Sequence, residues 1–357
     1  MTSRHRRLSL RPNRTLQRTC GGPARLQSAG LVAAVAQFGL LGRMRIAIPL
    51  LLTFSVAFAF ADEQRETNVW EPPSGLKQLP IWPGPVPDAR PFSGPERLKT
   101  NTKDLVAGRP WLVVENVSQP TITVFPPKGK NTGAAAVVFP GGHYWILVMD
   151  LEGTEICDWL TSKGITAILL KYRVPAESKS RSGSYPNSAE ALQDAQRALS
   201  LVRLHAAQWK IDPHKIGVIG FSAGGHLVAA TSTLFDKRVY KAADAADKES
   251  CRPDFAIAVY PGHLMEKTSK DFELNPYLPV SGNAPPTLLI QAEDDPVAPI
   301  ENSLVYFEAL KKAGVPAEMH LFAHGGHAFG LRRTEQPITA WPQLAETWLQ
   351  TIGMVSK

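Results

Sequence analysis

The pentapeptide Gly220-Phe221-Ser222-Ala223-Gly224 fits the pattern G-x-S-x-G, in which a serine serves as a nucleophile. A strand-like run from Lys215 to Gly220 leads into it, and the stretch beginning Gly225-His226-Leu227 leads out as an apolar helix start. The turn between strand and helix is so tight that the serine takes a strained backbone, and side chains two before and two after it would collide. Glycine at 220 and 224 removes that collision and lifts the hydroxyl above the sheet. Without its flanks the pentapeptide would read as an ordinary glycine-rich turn. The helix N-terminus also presents free N–H groups and a positive dipole end where negative charge would develop.

A serine hydroxyl needs an adjacent base near neutral pH, most often histidine. Of the nine histidines, His327 is favoured, because His324-Gly325-Gly326-His327-Ala328-Phe329-Gly330 follows the last strand-like run, where a loop can reach back over the sheet. His324 is the local rival and reads as a surface residue or as one supporting the site from behind. His5, His205 and His214 read as structural or solvated, and His226 follows the serine on its own helix. The imidazole must be held in one tautomer by a carboxylate. Glu293-Asp294-Asp295-Pro296-Val297 ends the preceding strand and supplies two candidates; Asp295 is preferred to Asp294 because the turn at Pro296 follows it directly. Taken alone, this cluster would be a solvated acidic loop. Acyl transfer also needs donors for an oxyanion. Phe139-Pro140-Gly141-Gly142-His143-Tyr144 follows an early strand, and the N–H groups of Gly141 and Gly142, with that of Ala223, are the candidates. Histidines and carboxylates show no compact metal-ligand spacing, so neither metal nor cofactor is expected.

These residues must be positioned by a scaffold, and the chain supplies one. Short apolar runs rich in branched residues, at Trp111–Val117, Thr121–Phe125, Ala134–Phe139, Ile165–Tyr172, Lys215–Gly220, Phe255–Tyr260, Thr287–Ala292 and Glu318–Phe322, predict strands. Helical spacing marks Ser188–Trp209, where Leu192, Ala195, Leu199 and Val202 share a face, and also Asn302–Ala313 and Leu344–Ile352. Two adjacent strands followed by strand–helix alternation predict a mostly parallel sheet covered by helices on both faces.

The 357 residues carry a net charge of +7, but the distribution decides what that means. Residues 1–61 hold nine arginines and no lysine or acid, so the remaining 30 basic residues stand against 32 acidic ones, a net of −2. The basicity belongs to the leader and does not call for a nucleic-acid partner. Met44-Arg45, the apolar run Ile46–Phe60 and the ending Ala59-Phe60-Ala61 describe a secretory signal with cleavage near Ala61, too short for a stable membrane span. The expectation is export to the periplasm or the extracellular space. Because a signal sits at the start of a precursor, translation is expected to begin at Met44, with 1–43 an over-called upstream stretch. Residues 62–105, rich in proline, read as an extended lead-in wrapping the surface of a catalytic domain over 106–357. Of the three cysteines, Cys157 and Cys251 would remain, either as one disulfide or as two buried thiols.

With these residues in view the chain resembles the α/β-hydrolase superfamily, and within it small secreted esterases of the acetyl esterase, acetylxylan esterase and feruloyl-esterase-like kind. The resemblance runs from about Val113 to Ile352 and is carried by Gly220–Leu227, by Asp295-Pro296-Val297 leading into Glu301-Asn302-Ser303, and by Gly325-Gly326-His327. It implies an eight-stranded sheet, triad roles for Ser222, Asp295 and His327, oxyanion roles for Gly141, Gly142 and Ala223, and a small-molecule or carbohydrate ester substrate. Many relatives carry His-Gly-Gly-Gly where this chain has Pro140-Gly141-Gly142-His143, which leaves the donors open and makes His143 a pocket residue. The short segment between Tyr260 and Pro286 implies no large lid, with Pro261-Gly262-His263 and Trp145 candidates for bordering the pocket. A short-acyl esterase is the leading reading. A prolyl-oligopeptidase-like peptidase and a non-catalytic binding protein on the same scaffold are its rivals.

Overall fold

A computed structural model describes residues 69–90, 94–175, 184–266 and 271–355. The signal and the upstream leader lie outside the described residues. Eleven strands and five helices follow in chain order: β1 (Gln78–Pro80), β2 (Arg97–Val106), β3 (Arg109–Glu115), β4 (Thr121–Phe125), β5 (Ala135–Phe139), β6 (Ile146–Val148), α1 (Glu155–Ser162), β7 (Thr166–Lys171), α2 (Glu190–Leu204), β8 (Ile216–Phe221), α3 (Ala223–Thr233), β9 (Ala256–Val259), β10 (Thr287–Ala292), α4 (Glu301–Lys312), β11 (Ala317–Phe322) and α5 (Trp341–Thr351).

Eight of the strands form one sheet in the order β1-β4-β7-β5-β8-β9-β10-β11. From β7 to β11 every pairing is parallel, while β4 runs against β7 and β1 against β4. Strands β5, β7, β8, β9 and β10 are buried along their whole length, as expected of parallel strands covered on both sides. The end of β8 shows the two covers. An added Cβ on Gly220 would meet Gly224 and Val228 of α3, whereas the next residue, Phe221, packs its ring 6.1 Å from Trp341 of α5. Successive side chains on a strand point to opposite faces, so α3 and α5 lie on opposite sides of the sheet. Helix α2 packs with α3, and α1 meets α5 through Trp159 and Trp341, whose rings are 5.5 Å apart.

Two expectations need correction. The run Trp111–Val117 is not a strand of the main sheet: as β3 it pairs with β2 and β6 in a separate three-stranded antiparallel sheet. Its place in the large sheet is taken by β1, from the proline-rich lead-in, which pairs Gln78, Leu79 and Pro80 with Thr123, Ile122 and Thr121. The lead-in is therefore more than a surface wrap. Trp70, Ile81, Trp82 and Val86 are buried in the main core, and the described part of the lead-in belongs to one compact unit with the residues that follow it. Trp82 donates its indole N–H to Asp194 on α2 at 2.9 Å, and Arg197 of the same helix donates to the Ile81 carbonyl at 2.8 Å. Asp194 also takes a bidentate guanidinium from Arg173, both side chains being sealed from solvent.

Cys157 and Cys251 are both buried and free, so the fold rests on its apolar core. Between Tyr260 and Thr287 the described residues hold no helix and a single bridge, Met265 to Leu274.

Candidate active site

Ser222 sits between the last residue of β8 and the first of α3 with φ 52° and ψ −115°, a conformation costly for any residue with a Cβ. The surroundings enforce it. A Cβ on Gly220 would lie 2.2 Å from the carbonyl oxygen of Gly224, and one on Gly224 would lie 2.0 Å from that of Phe139. Neither backbone atom can move aside cheaply, so both glycines are obligatory. The turn is further fixed by the Ser222 N–H donating to Val259 and by the Ser222 carbonyl accepting from His226 and Gly262.

His327 arrives from the loop after β11. The Nε2 of His327 is 3.0 Å from the Ser222 hydroxyl, and its Nδ1 is 2.7 Å from Oδ2 of Asp295. Asp295 lies in the turn after β10, its carboxylate fully buried, and its other oxygen accepts the N–H groups of Val297 and Ala298 at 2.8 and 2.9 Å. Gln291 donates to Oδ2 at 3.2 Å, so every lone pair that matters is directed. With Oδ2 accepting from Nδ1–H, the imidazole presents Nε2 as a proton acceptor to the hydroxyl.

Asp294 takes a different part. It is exposed and accepts the N–H groups of Gly325 and Gly326 at 2.9 and 2.8 Å and the Nδ1 of His324 at 3.2 Å. The Gly326 N–H, with the His324 contact and the Gly325 N–H, holds its carboxyl below the usual aspartate range. It fastens the histidine loop at its root and does not reach His327.

The glycine pair after β5 divides in the same way. Gly141 donates its N–H to Oε2 of Glu152 at 2.7 Å, so it is not free for an oxyanion, contrary to the expectation from sequence. Gly142, at φ 126°, has no such partner among the described residues, and neither has the N–H of Ala223 at the start of α3. Of the three N–H groups named as oxyanion candidates, these two are the ones left without a partner among the described residues. A side chain at 142 would strike the Ile146 carbonyl oxygen at 2.2 Å. His143 is exposed at φ 56° and stacks on Trp145 at 5.3 Å between ring centres.

Sequence reasoning missed two neighbours. Glu152 is buried beneath the Gly141 turn and accepts the Tyr260 hydroxyl at 2.9 Å. Tyr144, also buried, lies 2.6 Å through its hydroxyl from Nδ1 of His226. Burial, with a smaller push from His263, lowers His226 to about 3, so it is a neutral core imidazole and no rival base. Both signals were faint in sequence, since one Glu among the acids of Asp150-Leu151-Glu152-Gly153-Thr154-Glu155 or a Tyr shortly after two glycines marks no motif.

Geometry and likeness agree at this point. Residues 187–351 match the model of the prolyl oligopeptidase family, which takes in β8, α3, Asp295 and His327. The crystal structure of an acetyl ester-xyloside bifunctional hydrolase from Caldicellulosiruptor lactoaceticus superposes with a TM-score of 0.61 at 32% identity, covering 78% of this chain and 97% of that one. The chain belongs to the α/β-hydrolase superfamily. A second structure of this superfamily's fold, a thermophilic esterase from Thermogutta terrifontis with butyrate bound, aligns at 25% identity and a TM-score of 0.56, over 68% of this chain and 93% of that one. In sequence, this chain is 30% identical over 243 residues to an acetylxylan esterase of Xylanibacter ruminicola, covering 62% of this chain and 45% of the relative. The chain thus spans under half the length of that curated relative. Among its described residues no cluster of His, Cys, Asp and Glu could hold a metal ion, and no helix is long and apolar enough to cross a membrane.

Proposed function

We propose that this protein is a serine carboxylic-ester hydrolase that removes short acyl groups, acetyl above all, from a carbohydrate such as acetylated xylan. The observation that carries the reaction type is the unbroken line of contacts from the Ser222 hydroxyl through His327 to Asp295. The substrate class is supported by the relatives, an acetylxylan esterase and an acetyl ester-xyloside hydrolase, and by the lack of a helical cap between Tyr260 and Thr287 among the described residues.

In this reading Nε2 of His327 takes the hydroxyl proton as Oγ of Ser222 attacks the acyl carbon. The carbonyl electrons move onto oxygen, which the N–H groups of Gly142 and Ala223 receive, and Asp295 stabilises the imidazolium. Collapse re-forms the carbonyl and breaks the bond to the alcohol oxygen, which leaves with the proton from Nε2. Water then attacks the acyl-serine, giving its proton to His327, and a second collapse releases the carboxylic acid and restores the serine. A peptidase reading is favoured by the prolyl oligopeptidase match alone; it requires an amide nitrogen as leaving group in the same steps.

The test is acetate release from acetylated xylan beside hydrolysis of acetyl, butyryl and feruloyl esters and a dipeptide amide. Acetyl esters turning over fastest supports the proposal, and an amide hydrolysed faster than every ester replaces it with the peptidase. Ser222→Ala should reduce ester turnover by about 10⁵-fold with the thermal melt unchanged. Export is part of the same proposal, resting on residues 44–61. N-terminal sequencing of the secreted protein should begin at Asp62, and a native peptide from residues 1–43 would refute the start at Met44.

A further inference from the structure

Glu152 takes no part in the proton relay, yet it stands directly behind it. It is 1% exposed and lies in the wide helical turn Asp150–Thr154 that runs into α1. Both of its oxygens are engaged, one by the Gly141 N–H at 2.7 Å and the other by the Tyr260 hydroxyl at 2.9 Å. The ring of Tyr260 is 4.9 Å from the imidazole of His327. A Cβ built on Gly141 would sit 2.6 Å from Oε2 of Glu152 and 2.9 Å from Cβ of Ser222, so carboxylate, glycine turn and nucleophile are layered without space between them.

A buried carboxylate costs several kcal/mol of desolvation, and a neutral acceptor would satisfy one N–H and one hydroxyl more cheaply. Its position supplies the reason for retaining a charge. Gly141 directly precedes Gly142, and a turn with two free N–H groups could swing either of them toward the nucleophile. We propose that Glu152 is the positioning residue of the anion site: it captures the Gly141 N–H, thereby holding that of Gly142 toward the acyl oxygen, and through Tyr260 it braces the face of the catalytic imidazole. The inference rests on the esterase reading given above. Burial raises the carboxyl from its ordinary value, while the charge of His327, the Tyr260 hydroxyl and the Gly141 N–H draw it back and Asp150 opposes them. Burial raises the hydroxyl of Tyr172, just after β7, and the same carboxylate adds to that rise. The Glu152 carboxylate and that of Asp295 both stabilise the positive charge that His327 gains when it takes the serine proton.

Three variants of the full chain test this against an acetyl ester. Glu152→Ala should lower kcat about 100-fold with KM changed less than about threefold, the signature of a lost transition-state interaction. Glu152→Gln keeps an acceptor for Gly141 and should recover to within about tenfold of the parent, with KM again changed less than about threefold. Tyr260→Phe should give a smaller kcat loss and leave the Gly141 contact intact. If Glu152→Ala fails to fold by circular dichroism, the Gln variant carries the decision. A kcat for Glu152→Gln more than about tenfold below the parent, or a kcat for Glu152→Ala within about threefold of it, overturns the proposal. If Ser222→Ala is inactive in the same assay, that failure belongs to Glu152 alone, whereas an active Ser222→Ala removes the esterase reading itself.

Discussion

Asp294 and Asp295 are adjacent in sequence and opposite in surroundings. The carboxylate of Asp295 is sealed and held by two backbone N–H groups, so it can meet Nδ1 of His327 in one orientation. That of Asp294 is in water and ties down Gly325 and Gly326. Asp295→Asn should therefore reduce kcat by about 10⁴-fold by presenting the wrong tautomer to the serine, with little change in the melt. Asp294→Ala should loosen the histidine loop and cost activity only about tenfold, since the imidazole keeps its own partner. Side-by-side kinetics on one acetyl ester check both, and a larger loss at Asp294 would reverse the assignment. The sequence preferred Asp295 on the position of Pro296, and it is the Asp295 carboxylate that meets His327 in the structure. It placed Gly141 among the oxyanion donors because it contains no sign of the carboxylate that occupies that N–H.

Among the elements, the β8–α3 turn is the most exacting. Gly224→Ala would drive a methyl group onto the Phe139 carbonyl at the end of β5, so both the nucleophile and its neighbouring strand must shift. Loss of activity is expected together with at least about 3 kcal/mol of stability, beyond an ordinary overpacked core because backbone atoms are struck. Helix α2 is anchored otherwise, by Asp194 receiving Arg173 and the Trp82 indole inside the core. Arg173→Met should strand that carboxylate and cost about 3–5 kcal/mol in urea denaturation. Replacing Asp194 as well should recover part of the loss. The strong helices and fully buried strands were readable from apolar spacing. The three-residue strand β1 was not, because it pairs through backbone groups with Thr121–Thr123 and has no side-chain alternation long enough to detect.

For the whole molecule, the pH range of stability follows from charged groups that tie distant segments together. Arg197 on α2 forms a paired contact with Asp244 at 2.7 and 2.5 Å, and this holds the Asp244 carboxyl below its usual value. A carboxyl depressed in the folded state stabilises the fold above its unfolded value of about 3.9 and loses that contribution as the pH falls through the lower folded value. Stability should thus decline below about pH 4, and Asp244→Asn should flatten that decline when urea midpoints at pH 7 and pH 3 are compared. An unchanged slope would assign the acid sensitivity to other carboxylates. The lead-in contributes at this scale too, since Trp70, Ile81 and Trp82 close one end of the core. Trp82→Ala should cost about 3–5 kcal/mol, which a detached surface wrap would not.

The sequence by itself determined the order of the parts: a strand, a glycine-flanked serine and a helix, then an acid after one later strand and a histidine after the next. Those features are local, because strand and helix periodicity and the clash rules of a tight turn act over a few residues. Which of two neighbouring aspartates is buried, which of two neighbouring N–H groups is already taken, and which strand closes the sheet edge depended on residues far apart in the chain. Burial and hydrogen-bond partnership are properties of packed neighbours, so only the tertiary structure could assign them.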